Sequence, residues 1–226
     1  MNVLFALLLP LFAQPAGAAP APAVASQPEE AKAVLEGVQR FYQTTADFQA
    51  TFRQTYVYKV YGRTQVSGGR VFFKKPGRMR WDYDKPVPKV FVSDGQTLWV
   101  YEPQESQVFR RSLRSSQLPV ALTFMSGKGR LEDEFTGKLL SSTDEKTFLL
   151  ELTPKKSAGD YQSLRLKVDR ATFAVQASTV VDPVGNTNTV EFSDFKTNKG
   201  LPDKGFEFAP PPGVRVIEDS KGGFNP

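Results

Sequence analysis

The sequence predicts a mainly β fold, in which about ten antiparallel strands form a strongly curved sheet or an open or closed barrel together with two helices. The first observation is that apolar and polar residues alternate with a period of two over most of the chain. The second is that turn-forming pairs, such as Pro76-Gly77 and Asp94-Gly95, interrupt this alternation. Residues 28–45 and 117–126 instead have patterns typical of helices. A chain of 226 residues with 40% hydrophobic content can bury one full core, and we expect a single domain at 28–217.

The N-terminal residues predict a secretory signal peptide at 1–19. An apolar run from Val3 to Ala13 precedes Ala16-Gly17-Ala18, and small residues of this kind are typical of a cleavage site. The run is shorter than the roughly 17 to 25 apolar residues needed to span a bilayer. We therefore expect an exported chain with a flexible leader rich in Pro, Ala and Ser at 20–27 and a C-terminal tail at 218–226.

The first element of the domain is an amphipathic helix at 28–45. Pro28 suits the first helical position, and Glu29 and Glu30 complement the positive end of the helix dipole. Apolar residues recur at three- and four-residue spacing, which predicts one buried face. This face comprises Ala31, Val34, Leu35, Val38, Phe41 and Tyr42.

Three strands with clear alternation follow the helix, at 48–60, 64–75 and 78–84. Gly62 separates the first two, and Pro76-Gly77 separates the second from the third. The parity of each strand sorts its side chains onto one face. The predicted apolar face carries Phe48, Ala50, Phe52, Gln54, Tyr56, Tyr58 and Val60 on the first strand, Val71 and Phe73 on the second, and Met79, Trp81 and Tyr83 on the third. Lys75 has the parity of Val71 and Phe73, which points it inward.

Shorter strands account for the rest of the domain, and one apolar segment between them predicts a small helix at 117–126. The Asp94-Gly95 pair predicts a hairpin between two of these strands. The last ordered unit contains Phe206 and Phe208 and ends at Ile217. The further predicted strands are 89–92, 97–101, 107–113, 134–141, 146–153, 160–169, 173–181 and 188–195.

The composition excludes several functional classes. The chain has no Cys, so it forms no disulfide and carries no lipidated cysteine, and it has no His, which removes the commonest general base and metal ligand. Its 29 basic and 24 acidic residues are interspersed, so the net charge of +5 does not predict nucleic-acid binding. The acidic cluster Glu132-Asp133-Glu134 lacks the spacing of an oxygen-ligand cation site. We expect no enzymatic activity, no metal and no cofactor.

Several motifs between Gly68 and Tyr101 occur together: Gly69 followed after three residues by Phe73-Lys74-Lys75-Pro76, then Met79-Arg80-Trp81-Asp82-Tyr83, Pro88, Val92-Ser93-Asp94-Gly95, and Leu98-Trp99-Val100-Tyr101. With the C-terminal segment Phe206 to Val214, they make the chain from Pro28 to Ile217 resemble the LolA family of outer-membrane lipoprotein carriers. The resemblance implies an unclosed β-barrel of about eleven strands, covered by a helical lid.

The resemblance also implies the function and the partners. Family members are periplasmic chaperones that hold the acyl chains of lipoproteins in the cavity between sheet and lid. They receive lipoproteins from an ABC-type release complex of the inner membrane and pass them to a lipoprotein acceptor at the outer membrane. For this chain we expect the same cargo and partners, a monomer, and location in the periplasm after signal cleavage.

By the resemblance, Trp81 matches a Trp of the family. Met79 matches the apolar cavity residue that the family has two positions before that Trp. Lys75 stands where the family has a lid-closing arginine, and lysine offers a point charge in place of a planar fork. The segment around 117–126 matches the short lid helix. The acyl-chain cavity is therefore expected to include Phe48, Phe52, Val71, Phe73, Met79, Trp81, Tyr83, Leu122, Phe124 and Met125. Lys75 is the expected lid latch, and Arg78 or Arg80 are the alternatives for this role.

Two other interpretations of these residues remain. The apolar faces predict an ordinary packed barrel core equally well, and a lid packed over an empty cavity would itself be core. The same architecture also suits a module that senses lipids or lipoproteins, although such relatives usually carry a second domain and this chain ends after the first. A glycosidase or lipid hydrolase would need two carboxylates on the apolar faces, and these faces carry none.

Overall fold

Twelve strands and two α-helices form the part of the chain that the structure, a computed structural model, describes, namely residues 27–112, 130–156 and 161–218. The helices are α1 (Gln27–Thr44) and α2 (Leu131–Glu134). The strands are β1 (Asp47–Tyr58), β2 (Arg63–Lys74), β3 (Arg78–Lys85), β4 (Lys89–Ser93), β5 (Thr97–Glu102), β6 (Gln107–Ser112), β7 (Phe135–Leu140), β8 (Thr147–Pro154), β9 (Ser163–Asp169), β10 (Val175–Val181), β11 (Thr187–Thr197) and β12 (Arg215–Glu218).

All twelve strands belong to one sheet in the order β12-β6-β5-β4-β3-β2-β1-β11-β10-β9-β8-β7. The strands β12 and β7 lie at the two ends of this order, so the sheet is unclosed. Among the described strands, ten neighbouring pairs are antiparallel and β12 runs parallel to β6. The predicted mainly β fold with an unclosed sheet is confirmed, and the parallel pair makes the sheet mixed.

The helix α1 covers one face of this sheet, which we call the inner face. Its residues Ala31, Val34, Leu35, Val38 and Tyr42 are all buried, as the three- and four-residue spacing predicts. The helix ends where two threonines follow each other. Their hydroxyls donate hydrogen bonds back to the carbonyl oxygen of residue 41 at 3.1 and 2.8 Å, and the N–H of Thr45 donates to the same oxygen at 3.1 Å.

A close approach of β2 and β3 shapes the middle of the inner face. The register between these strands shifts at Gly68 and Gly69. A Cβ atom built on Gly69 would lie 1.9 Å from the carbonyl oxygen of Asp82, so no larger residue fits there without a backbone shift. Gly69 lies between Phe52 and Tyr83, and its lack of a side chain lets their rings meet, with centroids 4.8 Å apart.

The C-terminal segment is expected to be antiparallel like the rest of the sheet, but its strand β12 runs parallel to β6. A 3-10 turn at Asp203–Phe206 buries Phe206, and β12 then pairs with β6 in parallel through residues 215–218.

The carboxylate of Asp203 forms ion pairs with Lys74 at 2.6 Å and Arg78 at 3.4 Å. The hydrogen bond from Lys74 is the main cause that lowers the pKa of Asp203 below its ordinary value.

Several predicted boundaries shift by one to three residues. The first strand ends at Tyr58, so Val60, predicted on its apolar face, lies beyond the strand and is exposed. The segment near Leu131 differs more. There the chain first forms α2, and β7 begins at Phe135. The predicted signal peptide at 1–19, the small helix at 117–126 and residues 219–226 of the predicted tail lie outside the described residues.

Candidate binding site on the inner face

Seven of the predicted cavity residues share the inner face of β1, β2 and β3. Each has at most 4% of its surface exposed, and all belong to one apolar cluster with the buried face of α1. The seven are Phe48, Phe52, Val71, Phe73, Met79, Trp81 and Tyr83. The other three, Leu122, Phe124 and Met125, lie outside the described residues. Strand parity therefore identified one continuous apolar surface.

Aromatic rings dominate this surface and contact one another across the strands. Phe48 stacks on Phe73 with centroids 4.7 Å apart, and Phe52 meets the edge of Trp81 at 4.8 Å. Such contacts stabilise the face beyond the burial of its area. Aromatic side chains also present flat walls that suit a disordered hydrocarbon chain, because they need no specific partner.

Sequence reasoning missed the part of the face that β4 and β11 supply. Phe91 lies 5.6 Å from Tyr83, and Phe192 lies 6.3 Å from Trp81. Phe195 stacks on Phe48 at 5.0 Å although its parity differs from that of Phe192. The register between β1 and β11 shifts in this region, and Asp194 has a φ of 52°, so a bulge turns Phe195 inward. The alternation in β11 could have indicated Phe192, but a bulge leaves no clear sequence signal.

Lys75 joins the β2–β3 turn to the C-terminal end of α1. Its Nζ donates hydrogen bonds to the carbonyl oxygens of Tyr42 at 2.5 Å and Gln43 at 2.7 Å, and its backbone N–H donates to Ala46 at 2.9 Å. The last turn of α1 has no basic residue of its own, so Lys75 supplies the positive charge that complements the dipole there. Burial lowers the pKa of Lys75, whereas both carbonyl oxygens favour its protonated form.

The end of the inner face away from Lys75 is polar. The hydroxyl of Tyr83 donates a hydrogen bond to Gln54 Oε1 at 2.9 Å, and Gln54 Nε2 donates to Asn188 Oδ1 at 3.0 Å. Burial raises the pKa of Tyr83, which keeps its hydroxyl a neutral donor. Lys89 Nζ lies 4.7 Å from the centroid of the Tyr83 ring, and burial lowers its pKa, while the charge of Glu102 acts in the opposite direction.

The middle of α1 contacts the connection between β9 and β10 through a close fit between Gly37 and Phe173. A Cβ atom at position 37 would lie 2.3 Å from Phe173 Cδ1, so the ring occupies the space that a side chain would need. Phe173 has a φ of 62°, a left-handed conformation that is unusual for a large residue. Near the N-terminal end of α2, the side chain of Gln39 accepts a hydrogen bond from the N–H of Leu131 at 3.0 Å. The helix is thus held by a few specific contacts besides its apolar face.

This arrangement can bind an apolar ligand. The described side chains of the inner face pack against one another, and α1, which lies mainly over β7, meets β1 at Phe48, whose ring centroid is 6.0 Å from that of Tyr42. A ligand gains access to Phe48 only if the C-terminal end of the helix moves outward. Within the described ranges, no three acidic, His or Cys side chains come together as metal ligands. No helix in the same ranges combines the length and apolarity required to cross a membrane.

Comparison with known proteins places these observations in a family. The family model described as "Outer membrane lipoprotein carrier protein LolA" matches residues 43–209. The outer-membrane lipoprotein carrier protein of Chromobacterium violaceum is 29% identical over 208 residues, which cover 92% of this chain and 98% of the relative. Its counterpart from Methylococcus capsulatus is 30% identical over 179 residues, which cover 79% of this chain and 85% of the relative.

A solved structure shows the same fold at low sequence identity. An uncharacterized conserved protein from Thermus thermophilus superimposes with a TM-score of 0.56 at 14% identity. The match covers 84% of this chain and 99% of the other. It supports the architecture of the sheet and carries no information on function.

Proposed function

The chain belongs to the LolA family of outer-membrane lipoprotein carriers, and we propose that it shields the acyl chains of lipoproteins on its inner face while they cross the periplasm. The family consists of carriers, which confirms the prediction that this chain is not an enzyme. The observation that carries the proposal is that the seven described residues of the predicted cavity share one buried face, and that Lys75 fastens the end of α1 where Tyr42 contacts Phe48 of this face.

The energetics of acyl chains require such a shield. Each methylene moved out of water contributes about 0.8 kcal/mol, so ten exposed methylenes cost on the order of 8 kcal/mol. A lipoprotein with its chains exposed would remain in a membrane or aggregate. The buried aromatic face on β1 to β3 offers acyl chains an apolar surface in place of the membrane interior.

In this proposal α1 is part of the lid and Lys75 is its latch. When the bonds from Lys75 to the two carbonyl oxygens break, the C-terminal end of the helix is free to move away from Phe48. The acyl chains then occupy the surface that the helix leaves. Leu122, Phe124 and Met125 complete the cavity from the segment around 117–126.

The partners follow from the same proposal. An ABC-type release complex of the inner membrane supplies the lipoprotein, and an acceptor lipoprotein at the outer membrane takes it over. The chain acts as a monomer after cleavage of a signal peptide at 1–19, with residues 28–217 as the carrier domain. The carrier itself needs no cofactor in this proposal, because the lipoprotein passes to the outer-membrane acceptor if the acceptor binds the acyl chains more tightly than this chain does.

A transfer assay tests the proposal. Inner-membrane vesicles that hold a tagged outer-membrane lipoprotein are incubated with the release complex, ATP and the purified mature chain. We expect the tagged lipoprotein to appear in the soluble fraction in a one-to-one complex with the chain. If the lipoprotein stays with the vesicles, or becomes soluble without binding the chain, the carrier function is wrong.

A pair of variants tests the location of the site. Met79→Glu places a carboxylate on the inner face and should abolish uptake, because a charge there would have to be buried against hydrocarbon. Phe72→Glu places the same group on the opposite face of β2, beside Arg70, and should leave uptake intact. Circular dichroism checks that both variants fold. Normal uptake by a folded Met79→Glu variant would remove this residue from the cavity.

A further inference from the structure

The indole group of Trp81 is an unusual feature of the inner face. Only 4% of Trp81 is exposed, and its ring lies among Phe52, Phe73 and Phe192, with centroids 4.8, 6.1 and 6.3 Å away. Its Nε1 is buried, and none of the described residues accepts a hydrogen bond from it. A buried donor without an acceptor destabilises the folded protein, since it gives up its hydrogen bond to water.

The polar side chains next to Trp81 on this face, Tyr83 and Gln54, do have hydrogen-bond partners. One row further along the face, Tyr83 and Gln54 are joined by a hydrogen bond of 2.9 Å, and Gln54 reaches Asn188 at 3.0 Å. A phenylalanine at position 81 would keep a flat apolar ring among its neighbours without burying a polar N–H. The indole N–H therefore suits an acceptor that enters this face from outside the chain.

Along each acyl chain of a ligand, hydrogen-bond acceptors occur only at the linkage to the headgroup. A hydrocarbon chain has none, whereas the ester or amide carbonyl that joins the chain to its headgroup accepts a hydrogen bond through its oxygen. An indole N–H only donates, and such a carbonyl oxygen only accepts, so the two are complementary. Resting on the proposed carrier function, we propose that Trp81 Nε1 binds an acyl carbonyl oxygen of the cargo and so determines how deeply the acyl chains enter.

This subsite distinguishes acyl chains from plain hydrocarbon. In the bound state the hydrogen bond forms in a region of aromatic rings with little water, where it is strengthened. The carbonyl is held at Trp81 while the methylenes that follow it lie along the rings of the inner face. A ligand of equal length without the carbonyl gains the same apolar contacts and lacks this bond.

The test uses a chain in which Trp81 is the only tryptophan. The sequence contains two, and Trp99 lies partly exposed on β5 against Phe208 and Arg110, so Trp99→Phe leaves the inner face unchanged. This variant, labelled with 15N in the indole, is titrated with two synthetic cysteine lipopeptides of identical peptide and chain length. One carries ester-linked hexadecanoyl chains, and the other carries the same chains through ether links.

We expect the indole proton resonance of Trp81 to move downfield with the ester-linked lipopeptide and to stay near its position in the free protein, apart from ring-current changes, with the ether-linked one. Trp81→Phe should weaken binding of the ester form by about three- to tenfold and should change binding of the ether form much less. Circular dichroism confirms that this variant folds. If it does not fold, the resonance measured with intact Trp81 decides the question.

Two results would overturn the inference while leaving the carrier function standing: equal shifts of the indole resonance with both lipopeptides, or equal losses of affinity for both in Trp81→Phe. If neither lipopeptide binds the Trp99→Phe chain or the unaltered chain, the proposed function itself is wrong and the subsite falls with it.

Discussion

Replacing Lys75 with methionine should loosen the C-terminal end of α1, because it removes two hydrogen bonds and keeps most of the side-chain volume. The bonds from Nζ to the carbonyl oxygens of Tyr42 and Gln43 are 2.5 and 2.7 Å long. A hydrogen bond to a charged group contributes about 1.5 to 3 kcal/mol when it is buried. Since Lys75 is partly exposed, water and salt reduce this, and we expect about 1 to 2 kcal/mol for the pair.

The assay is hydrogen exchange at the backbone amides in the last turn of α1. A loss of about 1 to 2 kcal/mol corresponds to a fall in protection of roughly 5- to 30-fold. Lys75→Arg should keep the protection, because the guanidinium group also donates to two carbonyl oxygens. Lys74→Met is the matched control. Lys74 bonds to Asp203 and to the carbonyl oxygen of Leu201, so its loss should leave α1 unaffected.

Two outcomes would refute this reasoning. If Lys75→Met shows the protection of the unaltered chain, the two bonds contribute nothing to the position of the helix. If Lys74→Met lowers protection in α1 as much as Lys75→Met does, the effect comes from general loosening of the β2–β3 turn. In either case the latch would have to lie elsewhere.

Three further predictions concern packing and charge. Gly37→Ala should lower the thermal midpoint although alanine favours helices, because its Cβ would overlap the Phe173 ring at 2.3 Å, and adding Phe173→Leu should restore part of the loss. Gly69→Ala should lower the free energy of unfolding by about 1 to 3 kcal/mol in urea titration, whereas Gly205→Ala, with open space around its Cβ, should leave it nearly unchanged. The pKa of Asp203 is lowered in the folded state, so its carboxylate stabilises the fold fully above the ordinary pKa of 3.8, and this stabilisation is lost as the pH falls below that value. In an acid titration, the chemical shifts of the 203–206 turn should therefore change with protonation of Asp203, and Asp203→Asn should remove this change.

Much of the first half of the fold is predictable because its signals are local. The helix predicted at 28–45 is α1 at Gln27–Thr44, and the strands up to β6 lie within two residues of their predicted bounds. Period-two alternation determines which side chains share a face, and Pro-Gly and Asp-Gly turns determine where strands end. For the same reason the inner-face residues of β1 to β3 could be identified from parity alone.

The features that sequence reasoning missed depend on contacts between distant segments. The four residues of β12 have no pattern that indicates parallel pairing with β6, and the bulge at Asp194 that turns Phe195 inward depends on the register against β1. The parity of Lys75 pointed it inward, but the partners of its side chain are backbone carbonyl oxygens, and every residue of the chain offers the same group. Such acceptors leave no trace in a sequence.

In this proposal the C-terminal end of α1 and an acyl chain compete for the ring of Phe48, because Tyr42 packs against it in the closed protein. Cargo then binds only when this end of the helix is open, and the population of the open state scales the apparent dissociation constant. If a stronger latch lowers the population of the open state by some factor, it should raise the apparent dissociation constant for cargo by the same factor. Lys75→Arg, if it increases protection of the last turn of α1, should raise the dissociation constant for a lipopeptide in proportion, while Lys75→Met should lower it. If affinity for the lipopeptide instead rises with protection across the unaltered chain, Lys75→Arg and Lys75→Met, the helix and the acyl chain do not compete for one surface. The closed helix would then take part in binding.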